Sequence, residues 1–465
     1  MPTWIAHLTG RRALPEEIAE QIVDRTDGVP LFIEELTKSV IESGIVVETG
    51  DKYAAIDRVA SLAIPTSLHA SLLARLDRLA PVREVVQIGA ALGRSFSYEL
   101  ISAVAAMPQQ QLADALAQLE RAELVFRRGT PPDAEYTFKH ALVQDAAYST
   151  LLRSRRKQLH GRIVAAIESQ FSDLVVNDPE RLGQHCMEAG QVEGAIEYWH
   201  RAAEASISRS ANVEAVRQTH RALEALRTLP ESAERNAREL RLLVPRGVGL
   251  QALYGYGSEQ VHANYARANE ICQNVAGIPE LVPVLRGLYV HHLMQGSLPA
   301  AHKIGAHLLR LADQAGDEGW RLEARFAFGQ TLAFHEGDFA RARDLFVEGE
   351  SLYDFEKHRR HALIYGQDPG VYCLVLGGWM HYFLGYPDTA LSKMSRAIQL
   401  ADTVGHPLSR AAARTFTIQL LQWLRTDTGV PELATETASI CEAHRLPFFR
   451  AWTDASLAWR LISDG

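Results

Sequence analysis

Lysine is scarce: only seven of the 48 basic residues are lysine, and none follows a glycine. The G-x-x-x-x-G-K-[ST] loop that cradles nucleotide phosphates is therefore absent, so the chain is not a self-sufficient P-loop NTPase. Cysteine is rarer still. Cys186, Cys272, Cys373 and Cys441 lie far apart with no C-x-x-C pair, which suggests neither a disulfide framework nor a zinc site and leaves a reducing cytoplasm as the expected setting. Residues 1–14 lack an apolar run followed by a small-residue cleavage site, so no secretory signal is expected. One stretch, 369–387, has no Asp, Glu, Lys or Arg, but it carries two prolines, His381 and four glycines, which predicts a buried repeat helix rather than a membrane span. An excess of positive charge is missing too: 48 basic against 56 acidic residues gives −8, and no large segment is a basic nucleic-acid module.

What is present is a long, ordinary globular mixture. At 465 residues the chain exceeds the ~250–300 that one core usually serves, and with 47% hydrophobic and 22% charged residues it can bury two or three. Pro15 with Glu16 and Glu17 opens a short helix bearing Ile18, Ile22 and Val23, stopped at Asp27-Gly28. After Val29-Pro30 a second helix carries Leu31, Phe32, Leu36, Val40 and Ile41 as far as Gly44; residues 45–56 then read as a small hairpin. Residues 82–140 follow the order helix, helix, helix, strand, strand, with Gly129 to Pro132 as the turn of a wing, which is the element order of a winged helix. Its third helix bears Asp114, Glu120 and Glu123 against Arg121, an acidic balance that a phosphate backbone would repel, so protein packing is expected there rather than DNA readout. Arg153, Arg155, Arg156, Lys157 and Arg162 form the one basic run, read as a solvated helix face.

Further on, a glycine is followed five residues later by an alanine: Gly190/Ala195, Gly296/Ala301, Gly337/Ala342, Gly385/Ala390 and Gly429/Ala434. Such a period, with Trp199, Phe346 and Met394 four residues beyond the alanines, predicts stacked helical hairpins of tetratricopeptide type whose groove would take protein partners. The predicted fold is thus mainly α: a winged helix with a small β wing, then an α-solenoid. Residues 174–178 read as a helix end rather than a Walker B strand, and the glycine-rich 254–258 as a hinge between repeats. His291-His292 and His358/His361 have no carboxylate at a ligand spacing, so no metal site is expected, and no catalytic constellation emerges. The solenoid's apolar ending, with Leu457, Trp459 and Leu461, lacks the polar face of a capping helix.

Several segments carry a family resemblance. Residues 27–36, with the G-x-P of Gly28, Val29 and Pro30, resemble the end of the helical lid in STAND-type signalling ATPases; residues 64–68 and 75–79 are similar to the linker that follows. Residues 138–148 resemble the end of their winged helix, and residues 365–371 with the repeats are similar to bacterial proteins in which a class III adenylate/guanylate cyclase precedes such an ATPase. The resemblance implies a lid remnant with hairpin at 1–62, a winged-helix-like domain with basic linker helix at 63–162, and repeats at 163–465. It further implies that Pro30, following Gly28, packs on adenine and that His140 contacts a diphosphate, although Lys139 and Ala141 stand where the family carries Met and Asp. Walker A, Walker B and the cyclase would lie outside this chain, which therefore looks like the C-terminal regulatory part of a larger cyclase/ATPase, or a split or truncated product. No cofactor is expected in the chain itself; ATP or ADP with Mg belongs to the intact family. The expectation is a cytoplasmic, non-catalytic arm that engages protein partners or a cyclase/ATPase domain, and neither DNA nor membrane. Two alternatives remain: a fragment of a LuxR-like transcriptional regulator, which would need a DNA-binding helix-turn-helix after the repeats, and a free tetratricopeptide scaffold.

Overall fold

Breaks in the apolar pattern become helix ends. The computed structural model describes residues 5, 7–9, 12–50, 52–55, 67–78, 82–273, 279–426 and 428–463. They form two units, 1–177 with 184–191, and 178–183 with 192–465.

In the first unit, α1 (Glu16–Thr26) ends at Asp27 and Gly28, both left-handed at φ 43° and 74°, and α2 (Pro30–Glu42) starts with Pro30 at its first position, where the missing N–H costs nothing. The strands β1 (Val46–Thr49) and β2 (Lys52–Ala55) pair antiparallel as the expected hairpin. Ile18, Ile22, Ile33, Leu36, Val40 and Val46 close a small core between these elements. Helix α3 (Leu68–Arg78) follows; the linker residues 64–66 and Leu79 of the sequence reading lie outside the described residues.

Next come α4 (Arg83–Leu92), β3 (Ser95–Ser97), α5 (Tyr98–Ala105), α6 (Gln109–Arg121), β4 (Val125–Arg128) and β5 (Glu135–Phe138). The helix order and the wing hairpin match the expectation, but β3 was not legible. Three residues, Ser95, Phe96 and Ser97, are too few to show alternation, and they become a strand only because β5 pairs with them as well as with β4, in the order β3-β5-β4. Gly89 on α4 makes room: a Cβ there would meet the Phe96 ring at 2.8 Å. Helices α7 (Ala141–Ser149), α8 (Arg153–Gln170) and α9 (Ser172–Asn177) complete the unit, so the Walker-B-like stretch is a helix end. Along α8 the basic run is mostly solvated, although Arg155 pairs with Glu84 at 2.6 Å and Arg156 lies over the Tyr148 ring at 4.3 Å. Helix α10 (Pro179–Ala189) contributes to both units.

The second unit is all helix among its described residues: α11 (Val192–Ser208), α12 (Asn212–Leu226), α13 (Ala233–Tyr254), α14 (Glu259–Gln273), α15 (Leu281–Met294), α16 (Leu298–Ala315), α17 (Glu318–Thr331), a five-residue π segment at Leu332–Glu336, α18 (Phe339–Leu352), α19 (Phe355–His358), α20 (His361–Tyr365), α21 (Pro369–Phe383), α22 (Pro387–Val404), α23 (Pro407–Trp423), α24 (Val430–His444) and α25 (Pro447–Ser463). Most successive helices pack pairwise, as in a solenoid. The predicted register is met. Gly296, Gly337, Gly385 and Gly429 take φ of 72°, 69°, 89° and 83°, the left-handed turn that L side chains resist, while Ala301, Ala342, Ala390 and Ala434 are buried. Phe346 and Met394 are buried as well. Several turns are finished by an aspartate: Asp317 caps Trp320 N at 2.8 Å and Asp338 caps Arg341 N at 3.0 Å. Helix α21, the charge-free stretch, is buried along nearly its whole length, and no described helix is long and apolar enough to cross a membrane.

Candidate functional site

Two neighbouring faces of α2, the helix that begins at Pro30, each bind a different partner. Spacing of four places Glu34 and Lys38 together at 2.8 Å, and Glu35, Ser39 and Glu42 on the adjoining face.

On the first face, Lys139 Nζ donates to Glu34 at 2.5 Å and to Glu123 at 3.2 Å, while Lys38 also bonds Glu123. Two ammoniums thus alternate with two carboxylates. Burial would raise Glu34, but hydrogen bonds and charge from Lys139 and Lys38 outweigh it and hold the carboxyl down to about 2. Glu123 is lowered, chiefly by its hydrogen bond from Lys38. It stands just after α6 at φ 53°, and its N–H donates to Glu120 O at 2.9 Å.

On the second face stands Arg75 of α3, 1% exposed. Its Nε and Nη2 form a fork to Glu42 at 3.0 and 2.9 Å, Nη1 bonds the buried Glu35, and Nη2 also reaches Ala122 O at 2.8 Å. Burial disfavours the guanidinium's charge, but Glu35 and Glu42 overcome that and raise its pKa. Arg78 donates to Ser39 Oγ at 3.0 Å, and Ser71 Oγ to Glu35 O at 3.2 Å. Helix α2 is therefore locked to α3, to the end of α6 and to the residue that follows β5.

The three site residues of the sequence reading all fall in this unit. Gly28 is the left-handed turn residue; Pro30 is exposed at the start of α2; His140 takes the N-cap position of α7 in extended conformation, its side chain making no capping bond. The His140 Nε2 is buried with no hydrogen-bond partner among the described residues. The structure brings Pro30's helix and His140's neighbour together through Lys139 and Glu34. Sequence reasoning missed Glu34, Lys38, Glu35, Glu42, Arg75 and Glu123 as a set, since the bridges that bind α2 to other elements span 33 to 105 residues. The one available signal was Lys139 itself, a lysine where the family has methionine.

A second polar cluster sits in the same unit. His160 Nδ1 and His185 Nδ1 lie 2.8 Å apart, so one donates and the other accepts, and His160 Nε2 meets Tyr148 Oη at 2.9 Å. Burial, aided by Arg156, holds His160 down at about 4 despite Glu188.

In the second unit the segment resembling the cyclase-linked proteins proves to be packing. Tyr365 is half-buried, Gln367 accepts from Arg286 at 3.0 Å, and Asp368 caps Val371 N at 2.9 Å and accepts from Tyr353 Oη at 3.0 Å. Arg286, itself 2% exposed, also faces Glu323 at 3.4 Å. His361 Nδ1 lies 2.9 Å from Glu323, a carboxylate partner that sequence spacing hid because it is 38 residues away. Helix α20 packs on α13 and α15. His262, His291 and His292 cluster by ring stacking, yet no described group of histidine, cysteine or carboxylate can hold a metal. Residues 254–258 form the turn between α13 and α14, as the hinge reading requires. The α6 face that would read DNA exposes Gln109, Gln110, Gln111 and Asp114, with Gln110 donating to Asp114 at 3.0 Å.

No family model matches the chain. An uncharacterised protein of Rhizobium meliloti is 26% identical over 472 residues, covering 97% of this chain and 44% of its own length, so the chain spans less than half of that relative. Among solved structures, a Signal Transduction ATPase with Numerous Domains bearing a tetratricopeptide repeat sensor, from Pyrococcus horikoshii, aligns with 94% of this chain and 58% of its own at TM-score 0.48 and 12% identity. The apo form of RapI aligns with 85% of this chain and 99% of its own at TM-score 0.38 and 12% identity. Both are remote likenesses.

Proposed function

We propose that this chain is a non-catalytic sensor and protein-interaction arm of a cyclase-linked STAND-type ATPase. The observation that supports it is the clamp between Glu34, four residues beyond Pro30, and Lys139, next to His140. Two positions that the resemblance assigns to one nucleotide are thus joined by a bond one helical turn from Pro30 and one residue from His140. The residues fit nucleotide as secondary contacts. Pro30 offers an exposed apolar ring to a base, and the buried, unpaired Nε2 of His140 is a polar atom still lacking a partner. In such ATPases bound Mg and the P-loop supply the charge that neutralises the phosphates during transfer, and no residue of this chain takes that role. The arm holds the lid end and the winged-helix end in one arrangement, and partners engage the repeats.

The test is turnover and binding by the purified chain. No ATP hydrolysis or cyclic nucleotide formation above buffer background is expected, and calorimetry should show no tight ADP binding. Turnover that His140→Ala abolishes would end the regulatory-arm reading. Joined to an ATPase domain, His140→Ala and Pro30→Ala should each weaken ADP retention; unchanged retention in both would remove them from the nucleotide site.

A further inference from the structure

Helices α12, α13 and α14 enclose a cavity of about 630 Å³ whose charge is unbalanced. Arg227, Arg235, Arg246 and Arg267 line it with Glu239 as the one carboxylate. Two of the four are accounted for. Arg267 forks to Glu239 at 2.8 and 3.0 Å and reaches Glu270 at 3.3 Å, and Arg235 lies 3.4 Å from Glu231. The side chains of Arg227 and Arg246 make no hydrogen bond or ion pair to any described residue.

Their position follows from the sequence. Arg227 is the C-cap of α12, where a cation is favoured by the helix dipole but is also free to leave it. Arg246 follows Pro245, which lies inside α13 and removes one N–H from that helix's ladder. Gly247, next along, has no room for a Cβ because the buried Tyr265 ring of α14 fills the space, and this contact keeps α13 and α14 close beneath the cavity. Arg246 Nε is buried with no acceptor, and burial together with the neighbouring Arg227 charge lowers its pKa. Asn264, 3% exposed, donates to Leu243 O at 2.8 Å, and its Oδ1 is buried without a donor. Buried Leu223, Leu226, Leu243 and Leu250 supply an apolar wall.

Two like charges facing one cavity, one of them half-buried and lacking any acceptor, are a cost in the empty protein and an attraction for an anion. We propose that this cavity binds a small amphiphilic organic anion, its carboxylate or phosphate held by Arg227 and Arg246 and its apolar body laid on Leu223, Leu243 and Leu250. The volume suits a small molecule, and guanidinium forks match either head group. The site stands independently of any coupling to an ATPase.

Calorimetry of the full chain at low salt, with ligands kept below their micelle concentration, tests it using octyl phosphate, octanoate, inorganic phosphate and octanol. Saturable 1:1 binding of octyl phosphate or octanoate is expected, and whichever is tighter identifies the head group. It should exceed inorganic phosphate, be absent with octanol and weaken as salt rises. Arg246→Gln and Arg227→Gln should each lower affinity about tenfold or more, while Arg217→Gln, whose guanidinium pairs with Glu180 outside the cavity, should not. The free Arg246→Gln protein should melt no lower than wild type, since an unpaired cation is removed; a clear fall would make Arg246 structural and overturn the assignment. Should Arg246→Gln fail to fold, exposed Arg227→Gln carries the test. No saturable binding of either octyl anion, equal binding of octanol, binding indifferent to both variants, or displacement by an acidic peptide at lower concentration would each overturn the proposal.

Discussion

In the first unit α2 is tied to its neighbours mainly by charge across long loops, whereas in the second successive repeat helices nest small residues against large ones, with buried pairs such as Arg286 and Glu323 added to that packing. Arg75 links α2, α3 and the end of α6, and Lys139 links α2 to the end of β5. In the repeats, a Cβ on Gly329 would lie 2.7 Å from Phe346, one on Gly349 2.7 Å from Cys373 Sγ, and one on Gly370 2.6 Å from Tyr353. The two designs fail differently. Apolar nesting degrades in proportion to volume mismatch, while a buried ion pair losing one partner leaves a charge in a poor solvent for it. Loss of Arg75 should therefore have a larger consequence than overpacking between repeat helices.

The sharpest test of that contrast is Arg75→Ala, which strands Glu35 at 1% exposure. A loss of about 3–5 kcal/mol is expected, read from denaturant unfolding of the full chain. Arg75→Met combined with Glu35→Gln should recover much of it, because no buried charge remains unpaired; equal losses for single and double variants would show that side-chain volume, not charge, holds α3.

Overpacking in the repeats should cost less. Ala390, fully buried where α22 nests, replaced by Phe should lower stability by about 1–3 kcal/mol. Unchanged thermal unfolding of that variant would break the glycine-alanine register on which the repeat description stands.

The smallest effect, and the one that separates the units by pH, concerns Glu34 and Asp368. Glu34 is held at about 2 against an ordinary 4.5, so its contribution is present above about pH 4.5 and is lost as pH falls through 2. Asp368 runs the other way. Burial, the largest influence, raises it from 3.8 to about 6 despite the Val371 and Tyr353 hydrogen bonds, so its contribution is full below about pH 4 and is lost as pH rises through 6. Between pH 6 and 4 the repeats should tighten while the clamp does not yet loosen. NMR titration of the two carboxyls checks this, with Asp368→Asn flattening the stability profile between pH 4 and 6 and Lys139→Met moving Glu34 upward; coincident midpoints for Glu34 and Asp368 would erase the distinction.

How much was legible follows from the range of each interaction. The α1–α2 turn, the wing hairpin, α12 and the repeat register could be read because each depends on residues within a helix turn or a fixed offset: Gly28 and Pro30 punctuate, and Ala301, Ala342, Ala390 and Ala434 recur. Strand β3 was not, having three residues and a partner 40 positions away. The contact of His361 with Glu323 was not legible because Glu323 lies on another helix, 38 residues away.

The amino-acid order by itself determined the helix starts and stops, the period of the repeats and the positions of Gly28, Pro30 and His140, since turn geometry and apolar spacing are local properties. Only the tertiary structure decided that Lys139 and Arg75 meet neighbouring faces of one helix, that α20 packs on α13 and α15, and that Arg227 and Arg246 line one cavity with neither guanidinium paired. Those outcomes depend on which loops close, and sequence spacing carries no record of it.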